Sequence, residues 1–169
     1  MVSDSDNVVI RPATQTDTTA IARIYNYYIA GTIITFEEEP VTTVDMARRI
    51  ENVQSALLPW LVAEQAGDIL GFAYAGRWKD RSAYRFAVET TVYLEATMTG
   101  RGLGTRLYNS LLPVLSNRNI RTAIGGIALP NEASVALHEK LNFTKVAHFQ
   151  KVGFKFNSWI DVGYWQRGL

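Results

Sequence analysis

The chain has 169 residues, 47% apolar and 20% charged, with a formal net charge of +1 and no cysteine. That balance excludes a disordered or fibrous chain, and the length suits one domain around one core. The charge gives no electrostatic reason to expect nucleic acid or an anionic membrane as partner, and the missing thiols exclude disulfides, thiolate metal sites and a cysteine nucleophile.

In chain order, Met1-Val2-Ser3-Asp4-Ser5-Asp6 carries acid where an export signal needs base, and no long apolar run follows. A cytoplasmic protein without a membrane span is therefore expected. Val8-Val9-Ile10 reads as a first strand ending at Arg11-Pro12. Ile21, Ile24, Tyr25, Tyr28 and Ile29 recur at helical spacing and form one apolar stripe, with Thr16 or Asp17 as cap and Gly31 at the end. A weaker helix spans Val41 to Val53, with Thr42 or Thr43 as its cap. Three strands follow: Trp60 to Ala63, Ile69 to Trp78 after a turn at Ala66-Gly67-Asp68, and Phe86 to Glu95. Leu103, Leu107, Leu111 and Leu115 mark a third helix. Pro113 inside it removes a backbone donor at a cost of ~3 kcal/mol, and is expected to kink the last turn or end the helix early. Thr122 to Ala128 is a strand, and Asn131 to Leu141 a short helix capped by Asn131 and closed by a left-handed Asn142. Strands at Lys145 to Phe154 and Ser158 to Gln166 finish the chain.

No repeat or low-complexity linker divides the chain, so 1–169 is read as a single domain. The order β-α-α-β-β-β-α-β-α-β-β predicts an α/β fold with a mixed sheet and helices on both faces. The unit at residues 86–128 should be a right-handed crossover between parallel strands, with antiparallel hairpins around it.

The most informative segment is Thr99-Gly100-Arg101-Gly102-Leu103-Gly104-Thr105, between a strand and a helix. A helix start leaves backbone N–H groups without partners and carries about half a positive charge. Glycines let a phosphate approach that main chain, so the turn reads as a pyrophosphate cradle to which Arg101 can add charge. A ligand-free glycine turn stays open as an alternative. A P-loop fits worse, because Thr105-Arg106 follows Gly104. A dinucleotide fingerprint fits worse too, because Thr105 stands where a third glycine or alanine belongs.

Gly102-x-Gly104 after a strand, then Asn131-x-x-Ser134-x-x-Leu137-x-Glu139-x-x-x-Phe143, resembles the GNAT N-acetyltransferases. The chain is similar, almost end to end, to the phosphinothricin and methionine sulfoximine/sulfone acetyltransferases within that superfamily. The resembling stretches include Phe36 with Glu39-Pro40, Trp60-Leu61-Val62-Ala63, Trp78-Lys79, Arg81, Glu89-Thr90-Thr91-Val92-Tyr93, Val152-Gly153-Phe154-Lys155 and Trp159-Ile160-Asp161. Thr99 stands where the superfamily usually has Gln or Arg, His138 where it often has Tyr, and Asn142 where it often has Gly. The histidine matches the phosphinothricin branch. The resemblance implies a mostly antiparallel six- to seven-stranded sheet, acetyl-CoA as co-substrate without a metal, a small amino-acid-like amine as acceptor, and a homodimer built with the C-terminal strands.

Candidate site residues follow. Glu89 lies in an otherwise neutral strand, where a carboxylate is costly unless it faces a cleft. Partial burial would raise its pKa toward that of a useful general base, and the resemblance points to the same residue. The alternative is an outward-facing surface glutamate. His138 is placed by the resemblance beside the cofactor, to protonate the departing thiolate or assist the amine; a structural histidine is the alternative. His148 reads as a surface residue. The resemblance puts Val92, Tyr93 and Leu94 on the strand that grips the pantetheine arm, and the side chains can equally be core. Gly100 to Thr105 hold the diphosphate, with Asn131 and Lys140 as further cofactor contacts, though Asn131 can serve as cap alone. Lys79 and Arg81, beside Trp78 and Tyr84, can hold the acid groups of the acceptor or form an exposed basic loop. Phe36 can roof the acceptor pocket, and Thr90 and Thr91 can offer it hydroxyls. An acetyltransferase for another small amine or a protein N-terminus, and a CoA-binding sensor without chemistry, are the alternative functions.

Overall fold

The computed structural model describes residues 7–169, so the reading of Met1 to Asp6 lies outside the described residues. The elements in order are β1 (Val9–Pro12), α1 (Thr18–Gly31), α2 (Thr43–Ser55), β2 (Trp60–Gln65), β3 (Asp68–Arg77), β4 (Ala87–Leu94), α3 (Leu103–Asn117), β5 (Thr122–Leu129), α4 (Glu132–Lys140), β6 (Thr144–Lys155) and β7 (Ser158–Gly168). They build one seven-stranded sheet in the order β1-β2-β3-β4-β5-β7-β6. All neighbours are antiparallel except β4 and β5.

Strand alternation divides the core into two layers, because successive side chains leave a strand on opposite faces. Leu61, Ala63, Ala73 and Ala75 pack with Leu107, Leu111 and Leu115 of α3. Trp60, Val62 and Phe72 pack with Ile21, Ile24 and Ile29 of α1 and with Met46 and Ile50 of α2. Each fully buried aliphatic chain of this kind contributes about 1.5–3 kcal/mol.

The caps follow local chemistry. Thr42 accepts from the Asp45 amide at the start of α2, at 3.1 Å. Asn131 accepts from the Ser134 amide at the start of α4, also at 3.1 Å. Asp17 precedes α1, but its carboxylate serves Arg11 at 2.8 and 2.9 Å and the Thr14 amide at 2.8 Å instead of capping that helix. Asn142 closes α4 with φ 62°.

Pro113 does not end its helix early: α3 runs on to Asn117. The proline lies on the exposed side while Leu111, Leu112 and Leu115 are buried around it. The carbonyl of Asn109, four residues before, therefore belongs to an exposed residue and can turn to water. Leu111, with no exposed surface, sets the scale for this interface. Leu111→Ala is expected to destabilise the protein by about 2–5 kcal/mol, read as a lower urea midpoint with little change in m-value.

Candidate active site

β4 and β5 are registered over three pairs only, Ala87 with Thr122, Val88 with Ala123 and Glu89 with Ile124. Beyond Glu89, β4 continues along β3 as far as Leu94 opposite Gly71, while β5 continues along β7 as far as Leu129 opposite Asp161. The two strands part, and the sheet opens into a wedge. Two hollows fill it. The inner one, of about 270 Å³, takes in Phe36, Glu89, Thr90, Thr91 and His138. The outer one, of about 380 Å³, takes in Val92, Tyr93, Leu94, Gly100, Gly102, Leu103, Gly104, Thr105, Asn131 and Lys140. Ile34, Val92, Tyr93, Asn131 and Ser134 line both, so the hollows adjoin.

At its glycine turn the outer hollow offers backbone. Gly100 and Gly102 have φ 74° and 79°, a region that a side chain strongly disfavours. Gly102 occupies the position just before α3 and no side chain caps that end. The first bond across the helix start is from the Arg106 amide to the Gly102 carbonyl, at 3.1 Å. The amides ahead of it are therefore open to an anionic group. Thr99 lines this hollow but donates its hydroxyl to the Ala96 carbonyl at 3.0 Å. Arg101 is exposed on the turn and lines neither hollow. A diphosphate-bearing cofactor fits these open amides.

Side chains make the inner hollow. Glu89 accepts no hydrogen bond among the described residues, and burial alone holds its carboxyl above the usual carboxylate range. On the opposite wall His138 is only 4% exposed. Its Nδ1 donates to the Ser134 carbonyl at 2.7 Å, which leaves Nε2 bare in the neutral ring. Burial lowers its pKa, partly offset by that bond, so the ring is neutral near pH 7. Nε2 lies 3.2 Å from Tyr108 Oη, which is itself 3.2 Å from Thr90 Oγ1. Thr90 in turn donates to the Ile124 carbonyl at 3.4 Å. Tyr108 is fully buried, and desolvation drives its pKa upward.

Sequence reasoning missed Tyr108, since it reads as one more core residue within the leucine stripe. Its signal was a hydroxyl at a position that must be buried. Gly126 and Tyr164 of the same hollow were missed as well.

Lys79 and Arg81 are not brought to Glu89. They line a separate hollow of about 770 Å³ with Arg77, Arg85 and Arg118. One link joins the two places: Trp78, whose ring lies 5.2 Å from Lys79 Nζ, meets Tyr164 edge-on at 5.5 Å. His148 is exposed and bonded to Asp161 at 2.7 Å. Among the described residues no cluster of His, Cys, Asp and Glu suits a metal ion, and no helix is long and apolar enough to cross a membrane.

A wedge that ends in an open glycine turn, with a carboxylate at its apex, has the shape that acyl transfer from a diphosphate-bearing carrier requires. Residues 10–163 match the model of the acetyltransferase (GNAT) domain, and the chain belongs to that family. It is an acetyl-CoA-dependent N-acetyltransferase. It is 42% identical over 160 residues to the phosphinothricin N-acetyltransferase of Streptomyces viridochromogenes, covering 95% of this chain and 87% of the relative. It is 33% identical over 162 residues to the L-methionine sulfoximine/L-methionine sulfone acetyltransferase of Salmonella typhimurium, covering 96% and 95%. The crystal structure of a phosphinothricin acetyltransferase from Sinorhizobium meliloti in complex with acetyl-CoA superposes with a TM-score of 0.93 at 32% identity, covering 96% and 89%.

The fit between His138 and β5 is testable. A Cβ on Gly125 would run into the imidazole at Nε2 and Cδ2. Gly125→Ala is expected to displace the ring, cost about 1–3 kcal/mol by overpacking, and let His138 titrate nearer its ordinary value, as followed by the imidazole NMR signals.

Proposed function

We propose that the chain acetylates the α-amine of a small acidic amino-acid analogue, of the phosphinothricin or methionine sulfoximine/sulfone kind, by direct attack within a ternary complex. The observation that carries this reading is the shared wall of the two hollows, with Glu89 in the inner one and the open glycine turn in the outer. In this reading the whole of 1–169 acts as one unit.

Acetyl-CoA, when bound, supplies the thioester carbonyl that the amine attacks. Amides of the turn from Gly100 to Thr105 hold the diphosphate, joined by Asn131 and Lys140 of the same hollow, while Arg101 adds charge only from the exposed side of the turn. Past Glu89 the β5-facing backbone of β4 is released from pairing, so amides at Val92 to Leu94 can take the pantetheine arm as an added strand would and polarise the carbonyl. Glu89 receives the proton that the ammonium must lose. A carboxylate disfavoured by burial is the better base for that task. His138 lines the same hollow, with Nε2 3.2 Å from Tyr108 Oη, and serves to assist the amine as a base or to pass a proton to the departing thiolate. Phe36 roofs the acceptor and Thr91 faces it. Thr90 acts through its bonds to Tyr108 and Ile124.

Lys79 and Arg81 supply the positive charge for the acceptor's acid groups. Their separate hollow fits a homodimer in which the loop of one copy faces the site of another. Support for such pairing comes from exposed apolar residues on β6 and β7, where Phe149, Val152, Phe154 and Trp159 are all more than half exposed. The working place is the cytoplasm, where acetyl-CoA is at hand.

A panel of amines with acetyl-CoA, followed by release of free thiol, tests the substrate class. Phosphinothricin and methionine sulfoximine or sulfone are expected to be turned over well, and amines lacking the carboxylate poorly. Faster turnover of peptide N-termini, or no thiol release with any amine, would overturn the reading.

Glu89→Gln is expected to bind acetyl-CoA normally and lose most of its turnover at neutral pH. In the wild type, kcat/KM should fall as pH drops through the raised pKa of Glu89. The same shift fixes a stability effect. The folded state holds the Glu89 proton more tightly than the unfolded chain does, so ionisation above the folded pKa costs stability. The glutamine variant escapes that cost, and its Tm advantage should grow as pH rises from acid toward neutral and vanish in acid.

A further inference from the structure

We propose that Lys155 is a positioning residue of the acceptor site: from the end of β6 it clasps the connection between α1 and α2, so that Thr35 and Phe36 face the amine's hollow. The proposal rests on reading the inner hollow as the acceptor's place. Lys155 is 2% exposed, and no carboxylate lies within ion-pair reach of it among the described residues. An ammonium has three N–H donors, and burying it is costly unless they are used. Here all three are used. Nζ donates to the carbonyls of Ile29 at 2.8 Å, Thr32 at 2.9 Å and Thr35 at 2.8 Å. Ile29 belongs to the last turn of α1, where helix carbonyls lack partners and the helix dipole favours a cation. One side chain therefore closes a helix and anchors the two turns of chain that leave it.

That connection makes no strand, yet Ile34, Thr35 and Phe36 all line the inner hollow. Its far end is fixed separately, by Asn26 gripping both backbone groups of Val41 at 2.9 and 2.8 Å, and by Arg49 on Glu37 at 2.6 Å. The near end depends on Lys155, helped by the Tyr25–Thr35 hydroxyl contact at 2.8 Å.

β6 adds a second, independent hold. Its only fully buried residues are Gly153 and Lys155, and both serve this connection. The Phe36 ring lies where a Cβ on Gly153 would be. The strand thus uses its inner face to seat the loop and contributes neither residue to the two apolar cores.

A merely structural lysine would change stability alone. A positioning lysine changes the acceptor KM and spares the coenzyme, which is held from the other end of the wedge. Lys155→Met keeps the length and removes the donors, and Gly153→Ala displaces Phe36 without touching Lys155. Steady-state kinetics on the full chain, with acetyl-CoA and the best acid from the amine panel, separate the two roles. Each variant is expected to raise the acceptor KM by about tenfold or more while the acetyl-CoA KM stays within about twofold. The double variant is expected to lose less than the product of the two single effects, as residues acting on one loop should. An unchanged acceptor KM, with or without a lower Tm, would overturn the proposal. If Lys155→Met fails to fold, the acceptor KM of Gly153→Ala alone decides between the same two outcomes. A wild type that releases no thiol with any amine instead refutes the reading of the hollow, and this proposal with it.

Discussion

The whole site depends on where the pairing of β4 with β5 stops. Three registered pairs hold the strands together, and the last of them contains Glu89. Had the pairing continued, the backbone of Val92 to Leu94 would be committed to β5 and no wedge would exist. Because it stops, the carboxylate sits at the apex, half-buried between the parting strands. Side chains from both faces of β4 also reach the same space. Glu89, Thr91 and Tyr93 leave one face, toward the connection that carries Thr35 and Phe36. Thr90 leaves the other, toward Tyr108 and His138. A continuous sheet would keep those two sets apart.

Burial works on the ionisable groups of this wedge in a consistent direction. It penalises charge on Glu89 and on His138 alike. The ring is held in its tautomer by the Ser134 carbonyl and hemmed in by the bare backbone of Gly125. Its geometry is thus fixed by main chain, while its charge is fixed by the lack of water.

Much of this was legible in the sequence, for physical reasons that differ by region. The helices announced themselves because one face of each is buried, which gave Ile21 to Ile29 and Leu103 to Leu115 their spacing. The glycine turn was legible because Gly100 and Gly102 take a conformation that side chains disfavour. Pro113 misled because propensity weighs the lost donor and cannot see that the proline faces solvent between buried leucines. Lys79 and Arg81 were placed beside the acceptor because charge and neighbouring aromatics suggest a carboxylate, yet the topology of one chain puts them in another hollow. The partners of Tyr108 and Lys155 could not be read. Their roles come from partners 18 to 126 residues away in sequence, and no local pattern encodes a contact across the fold.

The two substrates are held by different kinds of matter, and this has consequences for how the site can change. The outer hollow offers backbone at one end: an uncapped helix start, two left-handed glycines and a released strand edge. Such a site tolerates side-chain drift, as Thr99 shows by turning its hydroxyl inward to Ala96 without closing the hollow. The acceptor hollow is mostly side chain, borne partly on a connection that has no strand pairing of its own and is tied down from outside by Lys155, Asn26 and Arg49. Changes at Thr35, Phe36 or their fastenings can therefore reshape the acceptor's space while leaving the diphosphate cradle intact. The connection is therefore free to vary without disturbing the glycine turn, which lies in the other hollow.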